Sequence, residues 1–321
     1  MKRTAVRWLG AGFAVALAGL GVAPPALAQE PTTVNAVVDD ATVAVGGTGR
    51  TLNVVISVAP GAAVNDLHLT LSVPDFVQLT VETGFFTCTA EAGTTECQWS
   101  GGFPISGVAG YPGFTLAAGP LAVAGQTGEL SVTTSGSDVI GATHTSKVTV
   151  GEGVDLVASL GPELTSAPGG QLTGTFVVGN AGASPVFGAV LRVFEPYALP
   201  PTQRHSNCMY RGDDVVSCGF DTVLEPGKAY RAEMAFEVRT DTQAPSNQAV
   251  QNLWLTPADW ADSAAALVRD GGSLGTPGTG PALALVETTA AGGAAPAAAT
   301  LPQTDVTPED AFSFFEVAIT G

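Results

Sequence analysis

The sequence predicts an all-β chain of two tandem antiparallel β-sandwiches, each with one local disulfide, behind a cleaved leader. Three observations carry that expectation. Short segments alternate apolar and polar residues with period two, while helical periodicity is almost absent. Forty glycines and 22 prolines supply the turn density of a many-stranded fold. Four cysteines fall in two close pairs, at matching places of an internal repeat.

The chain opens with Lys2, Arg3 and Arg7, an apolar run from Trp8 to Val22, and small residues ending Ala26-Leu27-Ala28. That order is a secretory signal peptide over residues 1–28, cut between Ala28 and Gln29. A retained signal anchor is the weaker alternative, because the apolar run is short and an A-x-A site follows it. No later stretch offers about 18 uninterrupted apolar residues, so no membrane association is expected after cleavage. The expected address is secreted or extracellular.

Cleavage leaves nine Lys+Arg against 29 Asp+Glu, a side-chain balance of −20. A field of that sign repels phosphate backbones and excludes nucleic acid as a partner. With 45% hydrophobic residues and a positive mean hydropathy, the acidic chain still has apolar surface to bury. The 293 residues after the leader suffice for about two domains.

Taken in order, the alternating segments are 51–58, 66–73, 128–134, 146–150, 171–178, 189–194 and 231–238. Each is rich in Val, Thr, Leu or Phe and bounded by Gly, Pro, Asn or Asp, as half-buried strands are. "AVGGTGRTLNVVISV" leads to "LSVPDF" and then Cys88 and Cys97; "APGGQLTGTFVV" leads to "VFEPYA" and then Cys208 and Cys218. Gly47 to Cys88 is 41 positions and Gly170 to Cys208 is 38, so the second copy keeps the spacing of the first. The first sandwich is placed at 29–151 and the second at 152–321. Too few residues separate the strands around Gly151 to Asp155 for a flexible linker, so a short, semi-rigid joint is expected there.

Outside the cytoplasm, an even and locally paired cysteine count reads as disulfides, Cys88 with Cys97 and Cys208 with Cys218. A shared metal site and free thiols are the alternatives; zinc would want His or Cys at two-residue spacing, and His68, His144 and His205 lie in no such pattern. Each pair brackets a polar turn, "CTAEAGTTEC" and "CMYRGDDVVSC". So short a bridge is expected to fix hairpin register at an exposed end of its sandwich.

Residues 155–196, with Pro168-Gly169-Gly170, Asn180-Ala181-Gly182 and Glu195-Pro196, resemble the Ig-like conserved repeat of secreted and cell-surface proteins of Gram-positive bacteria. "VSCGFDTVLEPGKAYRAEMAFEV" (216–238) is similar to that family's cysteine, turn and following strand; the first copy resembles it loosely. The resemblance implies two tandem Ig-like sandwiches acting as stalk, spacer or adhesive modules. Three lysines beside nine arginines, with abundant Ala and Gly, fit the coding bias of a GC-rich Gram-positive bacterium.

Candidate sites are sparse. Arg211-Gly212-Asp213 sits in the second cysteine turn, where ordinary turn chemistry competes with receptor display. Asp39-Asp40 and Asp213-Asp214 are read as solvated acidic loops, with calcium as the alternative, since neither pair stands in a known calcium-loop spacing. No G-x-S-x-G elbow accompanies the three histidines, so no catalytic residues are assigned and no enzyme is expected. Trp99 is expected to pack near its disulfide. Trp254 and Trp260 would serve glycan stacking if exposed and core filling if buried.

Residues 261–300 are low in complexity and read as a long, mobile insertion inside the second sandwich, with "PALALVE" as an optional strand. Leu301 to Thr304 spells LPxT, but Asp305 replaces the Gly, and neither an apolar span nor a basic tail follows. The stretch is therefore read as a coincidental match on the approach to a closing strand at 311–320, which puts Phe315, Val317 and Ile319 on one face. The sequence thus predicts a secreted, monomeric, non-catalytic structural or adhesive protein. It needs no metal or cofactor, works on an unidentified surface protein or glycan, and is wall-associated, if at all, without covalent sorting. An accessory glycan- or wall-binding module is the runner-up, and a calcium-stabilised adhesin the more distant alternative.

Overall fold

The computed structural model describes residues 30–81, 85–91, 93–100, 104–194, 197–212, 214–288 and 301–321. The expected leader, with Ala28 and Gln29 at its cut, lies outside them. The first repeat forms β1 (Thr32–Val37), β2 (Ala41–Ala44), β3 (Arg50–Val58), β4 (His68–Ser72), β5 (Val77–Val81) and β6 (Phe86–Glu91). It continues with β7 (Thr94–Trp99), β8 (Val108–Ala118), β9 (Thr127–Ser135), β10 (Val139–Ile140) and β11 (Thr143–Val154). The second repeat forms β12 (Leu156–Ser159), β13 (Leu164–Ser166), β14 (Gln171–Asn180), β15 (Val186–Phe194), β16 (Cys208–Arg211) and β17 (Val215–Leu224). β18 (Ala229–Glu237), β19 (Ser246–Leu255), helix α1 (Pro257–Arg269), β20 (Thr276–Pro277), β21 (Val286–Glu287), β22 (Gln303–Asp305) and β23 (Phe312–Ile319) complete it.

The internal repeat is visible in the sheets. The order β11-β9-β4-β7-β6 in the first sandwich has the same sense as β23-β19-β15-β17-β16 in the second. Facing them are β10-β1-β3-β8-β5 and β12-β14-β18-β21. Pairing is mainly antiparallel, with parallel pairs where strands return at the margins, β2 on β11 and β13 on β23. Some sheet margins end on very short strands, β10, β13, β20 and β21, while β5 and β6 form longer edges in the first sandwich.

Alternation in sequence becomes alternation in burial. Along β23, Ser313, Phe315, Val317 and Ile319 are buried while Phe312, Phe314 and Glu316 face out. Two hydrophobic cores result: Ile56, Leu69, Phe114 and Val132 in the first sandwich, and Phe176, Leu191, Phe236 and Phe315 in the second. Only Asp155 separates β11 from β12, so the chain passes from one core to the next without a linker. Pro31 to Gly321 forms one compact unit.

Two expectations need correction. Residues 257–269 are a helix, and the chain beyond it runs over the second sandwich, where β20 pairs with β16, β21 pairs with β18, and Leu283 and Leu285 enter the core. The optional strand in "PALALVE" is thus present in part as β21, whereas the helix and β20 are absent from the expectation; the remainder of the segment, 289–300, lies outside the described residues. Secondly, the LPxT stretch is not a mere approach to the closing strand. Gln303–Asp305 pair in parallel with Glu152–Val154 of β11, and Gln303, Thr304 and Asp305 are all buried.

Candidate functional site

The structure concentrates its buried polar chemistry on a seam where α1 and β22 of the second repeat meet β2, β3 and β11 of the first. Local sequence explains α1. Thr256 is the N-cap, its Oγ1 accepting from the Asp259 N–H at 3.1 Å; Pro257 opens the helix, and Arg269 closes it against the C-terminal dipole. Positions 259, 262 and 269 fall on one helix face, which presents two carboxylates and a guanidinium to the first sandwich. A β-bulge in β15 between Phe187 and Ala189 makes room for the helix start. Gly188 sits there at φ +86°, and a Cβ would stand 3.0 Å from the Phe220 carbonyl and 3.2 Å from Pro257 Cγ.

Asp259, 8% exposed, is the hub. Its carboxylate accepts from Thr304 Oγ1, from the Asp305 N–H at 3.1 Å and from Arg50 Nη1 at 3.4 Å. Thr256 Oγ1 stands 2.7 Å from both Asp259 Oδ2 and the Gln303 carbonyl, with one proton to give. Asp262 Oδ2 accepts from Arg50 Nη1 and from the Thr42 N–H, each at 2.8 Å. Arg269 pairs with Asp39 at 2.6 Å. Burial raises the carboxyl pKa of Asp262 in spite of Arg50, and that of Asp39 in spite of Arg269. Gln303 adds a tie within the second repeat, its Oε1 accepting from the Phe187 N–H and its Nε2 donating to the Pro185 carbonyl, both at 2.8 Å.

Beside the hub, Asp155, Asp305 and Asp310 each place one carboxylate oxygen within 4.8 Å of the others. Burial, and then the charges of Asp259 and Asp310, push the Asp305 pKa up to about 7 against the backbone N–H groups of Thr307 and Leu156.

Two clefts follow the seam, of about 120 Å³ at Thr42, Arg50, Asp259 and Thr304, and about 260 Å³ at Asp39, Asp40, Asp262 and Arg269. Both are smaller than the roughly 300–1,000 Å³ of drug-sized ligand pockets, whereas a third cleft, of about 610 Å³, opens where Arg269, Asp270 and Gly271 at the end of α1 meet Val37, Val55 and Val108 of the first sandwich. What the arrangement does chemically is join: the carboxylates of Asp39, Asp259 and Asp262 are each engaged by a donor from another element, and the hydroxyls on Asp259, those of Thr256 and Thr304, are themselves buried.

The residues singled out by sequence are scattered. Cys88 faces Cys97 across β6 and β7, and Cys208 faces Cys218 across β16 and β17. Both pairs are disulfides, with Cα atoms 4.0 and 3.9 Å apart. Trp99 is buried, with Phe85 and Phe86 ring centroids at 5.5 and 5.2 Å. Trp254 is fully buried against Phe220, and Trp260 takes the Arg192 guanidinium over its ring, so these two tryptophans make no sugar-stacking platform. Asp39 is neutralised by Arg269, and Asp40 accepts from the Lys147 N–H at 2.7 Å. Arg211 ends β16 and Gly212 turns at φ +63°; Asp213, the third residue of that tripeptide, lies outside the described residues.

His68 meets Asp66 at 3.0 Å and His205 meets the Pro281 carbonyl at 3.0 Å. His144 Nδ1 stands 3.3 Å from Ser146 Oγ, but that buried hydroxyl has the Val38 carbonyl as its closer partner, and among the described residues no carboxylate orients the ring. Sequence reading missed the seam. Thr256-Pro257 with Asp259 three residues after the cap is a helix-start signal that the Ala-rich composition obscured.

No protein-family model matches the chain, and no curated protein matches it. Among solved structures, it is similar to the third ScaC cohesin of Acetivibrio cellulolyticus, solved with the ScaB dockerin. That match has 15% identity over 37% of this chain and 98% of the cohesin, with a TM-score of 0.28. The seventh ScaB type I cohesin of Pseudobacteroides cellulosolvens matches at 9% identity over 52% of this chain and 94% of its own, with a TM-score of 0.28. The Enterococcus faecalis MSCRAMM ACE, described as binding its ligands by the collagen Hug Model, matches at 7% identity over 89% and 95%, with a TM-score of 0.26.

The sheets, the two cores and the paired cysteines, and not these likenesses, define an all-β protein of two tandem Ig-like sandwiches.

Proposed function

We propose that the chain is an extracellular, non-catalytic structural or adhesive protein whose two sandwiches, about 29–151 and 152–321, work as one stiff body. The observation that carries this reading is the Asp259 hub, which engages Arg50 of the first repeat and Thr304 and Asp305 of the second. Buried polar groups satisfied across a joint favour one arrangement of the parts and penalise others, because each broken pair leaves a desolvated charge. Such a seam holds two outer surfaces at a fixed spacing, as a spacer or a binding platform requires.

Two disulfides favour an oxidising compartment, and no helix among the described residues is long and apolar enough to cross a membrane. Covalent sorting at Leu301–Thr304 is excluded from this reading, because Thr304 is 3% exposed and hydrogen-bonded within the seam. For a protein partner, the outer face of β23 offers Phe312 and Phe314, 43% and 40% exposed.

The test is to fractionate producing cells into medium, wall and membrane and to capture partners from each with the wild-type chain and with a Phe312→Ser, Phe314→Ser variant. Recovery in medium or wall, with a captured surface protein lost in the variant, is expected. Retention in the cytoplasm, or turnover of a substrate, overturns the reading.

A further inference from the structure

The three carboxylates beside the hub come from distant parts of the chain: Asp155 between β11 and β12, Asp305 at the end of β22, and Asp310 in the turn before β23. A cluster of acids is by itself ordinary. Here two of its oxygens are stranded. Asp305 is 7% exposed; its Oδ1 accepts from the Leu156 N–H at 3.4 Å and the Thr307 N–H at 3.2 Å, which fixes the carboxylate. Asp305 Oδ2 and Asp155 Oδ1 are out of reach of water and accept no hydrogen bond. Among the described residues, no lysine or arginine forms an ion pair with Asp155, Asp305 or Asp310. Desolvated anionic oxygens without a donor or counter-charge are costly, so the cluster is complementary to a small cation.

We propose that Asp155, Asp305 and Asp310 form a calcium site that ties the joint between the sandwiches to the returning C-terminal segment. An all-oxygen, three-carboxylate donor set suits a hard cation and not zinc or copper. Oxygens that all lie within 4.8 Å of one another can share one ion with bonds of about 2.3–2.6 Å, and three protein carboxylates suit Ca²⁺ better than Mg²⁺, which keeps several of its waters and is held through one or two carboxylates. Asp310 is exposed and opens the cluster to solvent on its side, where water completes the six to eight ligands that calcium takes. With only three protein carboxylates, the affinity falls in the range of extracellular modules, on the order of 10⁻⁴–10⁻³ M. The proposal does not depend on any partner: the ion is structural whatever the outer faces bind.

The experiment uses the whole chain, stripped with chelator near neutral pH and titrated calorimetrically and by thermal melting with calcium chloride to about 10 mM, with magnesium chloride in a parallel arm. Expected are saturable calcium binding, a melting-temperature rise of roughly 5 °C, and magnesium binding at least roughly tenfold weaker. Asp305→Asn and Asp310→Asn should each abolish the calcium-dependent rise. The second variant lies in a turn and keeps the test valid if the buried one fails to fold. No binding by the folded, stripped wild type overturns the proposal, and so does a full calcium response in Asp310→Asn. A melt that varies with pH and ignores calcium assigns the stranded oxygens to a shared proton, which also overturns it.

Discussion

Arg50 of the first sandwich donates from Nη1 to Asp262 Oδ2 of α1 at 2.8 Å, across 212 residues of sequence. The two side chains are 21% and 17% exposed, so solvent screens this pair far less than a surface ion pair. Arg50→Met keeps much of the stem and removes the charge, leaving Asp259 and Asp262 without their cation. The expected cost is about 1–3 kcal/mol, read as a lower urea midpoint. Arg50→Lys should recover only part of the loss, because one ammonium nitrogen can stand for Nη1 between Asp259 and Asp262 but leaves the Asp259 carbonyl without the Nη2 donor, which stands 3.4 Å from it. A midpoint equal to wild type in Arg50→Met would show that the seam does not depend on this pair.

The two disulfides should differ in weight. Each closes a loop of about ten residues, for which chain entropy gives roughly 2.5–3 kcal/mol as a ceiling. Cys208 and Cys218 are 1% and 0% exposed and belong to the second core, whereas Cys88 is only partly buried beside Cys97. Changing Cys208 and Cys218 together to Ala is therefore expected to lower the urea midpoint more than the same change at Cys88 and Cys97. In the milder pair, hydrogen exchange should rise first in β6 and β7, at the margin of their sheet. Equal losses would mean that loop closure alone sets the effect.

Phe315 is 1% exposed, with its ring centroid 5.6 Å from that of Phe176 and 6.4 Å from that of Phe236. It carries the closing strand into the second core. Phe315→Ala removes one aromatic of a packed triad and leaves a void in the core, and about 3–5 kcal/mol is expected. Phe314→Ala, on the outer face of the same strand, should cost far less. A circular-dichroism melt of both variants separates packing in the core from strand propensity.

The contrast between those neighbours marks what was legible in the sequence. Period-two patterning locates β3, β4, β9, β11, β14, β15, β18 and β23 and chooses the inward face of β23, because burial of one sheet face is a local constraint. The paired cysteines and the repeat likewise appear in the linear order. The seam does not. Gln303, Thr304 and Asp305 are polar residues buried because their partners arrive from Pro185, Phe187, Thr256 and Asp259, and no local pattern announces a long-range hydrogen bond. By contrast, the "PALALVE" option for a strand holds in part, since β21 lies at its end and Leu283 and Leu285 enter the core, although the Gly- and Ala-rich surroundings suggest a mobile segment.

Asp305 supplies a pH test of the same region. Burial, ahead of the repulsion from Asp259 and Asp310, raises its carboxyl from an ordinary 3.8 to about 7. Across that window the folded chain holds a proton that the unfolded chain has released, so this group's contribution to stability is largest below pH 4 and is lost as pH rises through about 7. In chelator, the urea midpoint should therefore fall between pH 5 and pH 8, with other shifted carboxyls adding to the slope. Asp39, Asp262 and Asp310 are raised and act in the same direction, while Asp66, lowered first by the Ser137 backbone N–H, acts in the opposite one at more acid pH. Asp305→Asn should flatten the fall, since its amide is neutral throughout, and an unchanged slope in that variant would remove Asp305 as the proton's holder. Calcium should flatten the slope in wild type for a different reason. The ion competes with the proton for the same oxygens, so it stabilises most where the carboxylate is charged, and its effect on the midpoint should grow from pH 5 to pH 8.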